Sequence, residues 1–170
     1  TVGASAFRNV SNISSLDLSN VKYIGDYAFY VGGSTLTSII FSGKLQSVGT
    51  QAFPQGFGCS VTDVTVNVND ITEIIGLPIP FFYYFTEVKY YVAGELLKEI
   101  IIPEGITSLS GFNYIRGINL ISLQSTLQSI AENSFTETVA PKIYCYAKTP
   151  PIISPKARPS SLWKWYHRPA

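Results

Sequence analysis

The sequence predicts a solenoid of short, mostly β coils that stack through parallel strands and contain little helix. Three observations lead there. First, one phrase recurs: Ile24-Gly25-Asp-Tyr-Ala28-Phe29 returns as Val2-Gly3-Ala-Ser-Ala6-Phe7 and as Val48-Gly49-Thr-Gln-Ala52-Phe53, with Ile130-Ala131-Glu-Asn-Ser134-Phe135 as a looser copy. Second, the spacing is regular: Phe7 to Phe29 is 22 residues, Phe29 to Phe53 is 24, and Phe112 to Phe135 is 23. Third, a stretch of alternating apolar and polar residues follows each phrase, as in a half-buried strand. A leucine- or valine-led strand in a unit of this length marks a leucine-rich repeat solenoid.

The elements follow in order. Ile13–Leu18, Leu36–Phe41 and Val61–Val68 are the strands of the first three coils. One coil of about 23 residues cannot enclose a core, so its Ile, Phe and Leu stay wet unless a neighbouring coil covers them. Equivalent side chains therefore stack, and Phe7, Phe29, Phe53, Phe112 and Phe135 are expected to form an interior column. The Ala or Ser before each Phe is small because the next coil passes close. Gly3, Gly25 and Gly49 suit either a positive φ or a close backbone approach.

The period lapses over about residues 69–96. Ile71–Gly76 begins a fourth copy, but Leu77–Phe85 replaces its Ala-Phe step. Val88–Val92 and Leu96–Ile102, flanking Ala93-Gly94-Glu95, read as an inserted β-hairpin with Gly94 in the turn. The repeat resumes at Ile102, a strand follows at Ile118–Leu123, and the last strand is Lys142–Tyr146, ended by Pro150-Pro151 because proline cannot donate to a ladder. The solenoid is thus assigned to 1–151 and a basic, aromatic cap or tail to 152–170.

Leu97-Lys-Glu-Ile100-Ile-Ile102-Pro103-Glu-Gly-Ile106-Thr-Ser-Leu109, together with the Ile-Gly-x-x-Ala-Phe phrases, resembles the BspA-like leucine-rich repeats of bacterial surface proteins. Tyr91–Leu97 is similar to the hairpin that precedes such a repeat, and Ile143–Pro151 to the closing phrase. The likeness spans about 2–68 and 88–151. It implies an extracellular or cell-surface protein that binds a protein or glycan on host or neighbouring cells.

Composition narrows the chemistry. With 46% hydrophobic and 14% charged residues the chain is not disordered. A net charge of +1 gives the whole molecule no bias toward nucleic acid. Leu77–Phe85 is too short and proline-interrupted to span a bilayer, so a soluble, non-transmembrane chain is expected. No Met occurs, and any export signal is expected upstream. Cys59 and Cys145 form no CxxC, and the sequence leaves open whether they pair or are buried free thiols.

Catalytic patterns are sparse. The single histidine, His167, stands near the end, which excludes a two-histidine metal site. No GxSxG occurs, and Gly56-Phe57-Gly58-Cys59 lacks a third glycine. No catalytic residue, cofactor or metal site is assigned. Asp17, Asp63 and Glu99 occupy comparable strand positions, where they are read as solvated residues or, for an enzyme, as a source of paired carboxylates. Asn9-Val-Ser and Asn12-Ile-Ser match glycosylation sequons by coincidence.

Two features exceed this background. In Phe81–Phe85 with Tyr90 and Tyr91, the rings either pack on the solenoid or present Tyr83, Phe85 and Tyr90 outward as a binding patch. After Glu137 there is no acid, and Lys142, Lys148, Lys156, Arg158, Lys164 and Arg168 are interleaved with Trp163, Trp165 and Tyr166. That segment caps the open end of the last coil or engages a polyanion, with Trp163 and Trp165 as its binding residues. The functional expectation is a non-enzymatic binding module. The alternatives are a structural repeat region of a larger exported protein and a glycan-processing enzyme.

Overall fold

A computed structural model of the chain describes residues 1–30, 35–53, 61–79, 87–132, 134–136, 138–140, 142–154 and 165–167. They fall into two compact units, Thr1–Asn67 with Leu77–Lys89, and Val68–Gly76 with Tyr90–Ala170. Both are leucine-rich repeat solenoids of short parallel strands. The described residues contain a single helical turn, the 3-10 helix Ile71–Ile74, whose first turn is capped by the Asp70 carboxylate accepting from Thr72 N–H.

In the first unit, β1 (Ser15–Asp17), β3 (Ser38–Ser42) and β5 (Asp63–Val68) form one parallel ladder. Leu16, Ile39 and Val64 stack inward in register. A second ladder, with no counterpart in the sequence reading, runs through the recurring phrase. Val2 bridges to Ile24, and β2 (Tyr23–Ile24) pairs with β4 (Ser47–Val48). A two-residue strand is too short to display alternation, so only stacking discloses it.

The phrase closes with Phe. Phe29 lies between Phe7 and Phe53, with ring centroids 5.3 and 5.4 Å away and near-parallel planes. Phe29 and Phe53 are buried, but Phe7 is 44% exposed, so the expectation of five interior rings is corrected there. Among the described residues Phe7 stacks on Phe29. Ala28 and Ala52 are buried as expected.

Gly25 and Gly49 serve close approach and not positive φ, whereas Gly3 has open space around it. A Cβ on Gly25 would lie 2.5 Å from Ala4 N, and one on Gly49 2.5 Å from Asp26 N. The left-handed step falls instead on Ser5, Tyr27 and Gln51, two residues before each Phe, with φ of 55°, 55° and 47°. L-residues adopt this conformation at a cost of roughly 1–2 kcal/mol. Coil-to-coil bonds offset it: Ser5, Phe7, Tyr27 and Phe29 N–H donate to the Asp26, Ala28, Thr50 and Ala52 carbonyls at 2.7–3.0 Å. Asn9 and Asn12, the two sequon asparagines, also have positive φ, which this side chain tolerates best among non-glycines.

The second unit repeats the plan. β8 (Glu99–Ile101), β10 (Leu120–Leu123), β12 (Ile143–Cys145) and β14 (Trp165–His167) form one parallel ladder. β9 (Ser108–Leu109), β11 (Ser129–Ile130) and β13 (Ile152–Ile153) form the other. Phe112 and Phe135, both buried, stack at 5.7 Å. Cys145 is a buried free thiol, and Cys59 lies outside the described residues.

Two strand expectations change. β6 (Val88–Val92) does turn back through Ala93-Gly94, both at positive φ, into the antiparallel β7. Yet β7 is only Glu95–Leu96, and the remainder of the expected strand, β8, joins the parallel ladder. A two-residue turn with positive φ at both positions matches the strand twist. Lys142–Tyr146 is not the last strand either. β12 already ends at Cys145, and directly after Pro150 and Pro151 the Ile152 N–H donates to the Gln128 carbonyl, starting β13.

Candidate functional site

In the first unit the alternation of β1, β3 and β5 sends Leu16, Ile39, Phe41, Val64 and Val66 inward. The intervening side chains face outward and stay exposed or half-exposed. Parallel register turns them into columns: Ser15, Ser38 and Asp63 in one, Asp17, Ile40 and Thr65 in the next, then Ser42 with Asn67. Strand spacing places column neighbours about 4.8 Å apart. The outcome is an outward face of small hydroxyl, amide and carboxylate groups around one apolar side chain, Ile40, on a rigid ladder.

The polar groups of this face hold one another. Asp63 Oδ1 receives Lys89 Nζ at 3.1 Å, a half-exposed ion pair. Ser42 Oγ donates to the Ser19 carbonyl at 2.6 Å, and Lys44 Nζ to Asn20 Oδ1 at 2.7 Å. Ser19 N–H and hydroxyl bond the Asp17 carboxylate and hold it below its ordinary value. Asp70 is lowered by Thr72, and Glu104 by Ser125, in the same manner. A general acid for glycoside hydrolysis needs a carboxyl shifted the other way. Asp17 and Asp63 are also two residues out of register, because Asp17 aligns with Thr65 and Asp63 with Ser15.

The sequence-selected binding residues fare differently. Tyr90 is 2% exposed, with burial pushing its phenol well above the ordinary range. Its assignment to a surface patch is corrected: in β6 the even positions Val88 and Tyr90 point inward, and Lys89 and Tyr91 are the half-exposed ones. Tyr83, Phe85 and Trp163 lie outside the described residues. Trp165 has its backbone in β14 beside Ile143, and its side chain lies outside the description. Gly56–Cys59 lies outside it as well.

Among the described residues, no group of three His, Cys, Asp or Glu is placed to hold a metal, and no helix is long and apolar enough to cross a membrane. The columns of the ladder were within reach of the sequence, since residues at a separation of 23–25 must stack once the period is accepted.

A family model described as BspA type Leucine rich repeat region matches the chain in 6 copies, over residues 1–77 and 82–152. No curated protein and no solved structure matches it.

Proposed function

The chain belongs to the BspA-type leucine-rich repeat family, and from that premise we propose that it is a non-enzymatic interaction module, secreted or displayed at a cell surface, that binds a protein or glycan partner. The observation that supports this most is the outward face of β1, β3 and β5. Ile40 apart, its side chains are short and hydrogen-bonding, ordered in columns by the register, and rigid because every strand is bonded to a neighbour. Such a face offers repeated donors and acceptors without the entropic cost of ordering long side chains. Family membership supports a repeat module, and the choice of face rests on this geometry.

The test is capture of partners on protein and glycan arrays by the chain and by Ser38→Arg and Thr65→Arg variants, which place a bulky cation in the middle of the face. The expected result is a partner signal that both variants lose while melting temperature is kept. Retention of that signal by both folded variants excludes this face as the binding surface. Turnover of an arrayed glycan would instead favour the enzyme.

A further inference from the structure

The loops after β10 and β12, in successive coils of the second unit, flank an open pocket of about 440 Å³. Pairing of Ser129 with Ile152 across β11 and β13 holds the two loops in fixed register. Ser125, Thr126, Gln128, Lys148 and Thr149 line it. Pro150 and Ile152 add an apolar side, and Ile152 is 78% exposed although its backbone is bonded.

The hydroxyls on one wall are oriented from behind. Ser125 Oγ donates to the Glu104 carboxylate at 3.1 Å, and Thr126 Oγ donates to the Ile106 carbonyl at 3.1 Å while accepting from Gly105 N–H at 2.8 Å. With their protons committed, both oxygens meet a ligand as acceptors. The Lys148 ammonium supplies donors, and the Gln128 amide and Thr149 hydroxyl supply either kind. Lys148 is the one charged group of the lining, and the two acceptor oxygens call for a ligand that brings hydroxyl donors, which a carboxylate or phosphate lacks. Alternating donors and acceptors beside a small apolar plane match a ring that carries hydroxyls on its rim and C–H groups on its face. The volume sits at the low end for small-ligand pockets.

We propose that this cavity binds a neutral saccharide unit, with its hydroxyls donating to Ser125 and Thr126 and accepting from Lys148 and Gln128, and its C–H face on Ile152. The site holds or fails irrespective of whether Ser38→Arg abolishes partner capture, because the two are read by different variants.

The experiment applies the full chain to an array of neutral hexoses, their disaccharides and uronic acids, then titrates the best-bound neutral sugar by calorimetry. Lys148→Ala and Gln128→Ala, both at exposed positions, are each expected to weaken binding about tenfold, the loss of one well-placed hydrogen bond. Lys98→Ala, which removes an equal charge outside the cavity, is expected to bind as the unaltered chain does. Three results overturn the proposal: no neutral sugar retained, retention of uronic acids alone, or unchanged affinity in both cavity variants with their melting temperatures intact.

Discussion

Phe29→Ala tests the stacked core most directly. The ring is 5% exposed and sandwiched between Phe7 and Phe53 at 5.3 and 5.4 Å. Truncation removes the ring's transfer free energy and leaves a cavity that cannot collapse, since the flanking coils are held by backbone bonds from Phe7 to Ala28 and from Phe29 to Ala52. For a buried Phe this costs about 3–5 kcal/mol. Two ring pairs vanish together, each contributing roughly 0.5–1.5 kcal/mol beyond area, so the upper half of the range is expected. At this chain length it lowers the melting temperature by roughly 8–20 °C. Phe7→Ala provides the internal comparison. That ring is 44% exposed and, among the described residues, stacks on Phe29, and its removal is expected to cost about half as much. Urea titration of both variants at unchanged m-value measures the difference. A Phe29→Ala loss below about 1 kcal/mol, or equal losses for the two, refutes the column.

Gly49→Ala is expected to cost about 1–3 kcal/mol, because its Cβ would meet the Asp26 backbone at 2.5 Å, and Gly3→Ala, with open space around it, less than about 0.5 kcal/mol; equal thermal shifts refute the close-approach reading. Glu104, held below its usual value near 4.5 chiefly by the Ser125 backbone N–H, stabilises the fold above that pH and loses the contribution as pH falls through its lowered folded value. The gap in melting temperature between the unaltered chain and Glu104→Gln should therefore narrow below about pH 4.5, and a gap that is constant with pH would contradict the assignment. Deletion of residues 157–170 removes β14 from β12 and is expected to lower the melting temperature by about 5 °C or more, the loss of a few ladder hydrogen bonds; unchanged stability with lost binding to a polyanion would make the tail a ligand site.

The sequence by itself determined the coil length, the parallel ladder strands, the Phe stacks and the hairpin turn at Ala93-Gly94, because each is written as a local period or a turn residue that stacking then satisfies. Tertiary structure alone decided which parity of a strand faces inward. Val88–Val92 is apolar or aromatic at four of five positions, so alternation could not show that Tyr90, and not Tyr91, is interior. It also decided that Phe7 is partly exposed, that Gly25 and Gly49 serve neighbours and not their own φ, and that the chain continues as β13 beyond two prolines. The cavity lies between these extremes. Ser125 and Lys148 are 23 residues apart, one coil, so the period places them side by side, but only the packed loops leave a gap between them. Repetition fixes what stacks on what; whether stacked surfaces close or stay open depends on side-chain volumes in three dimensions, which no period encodes.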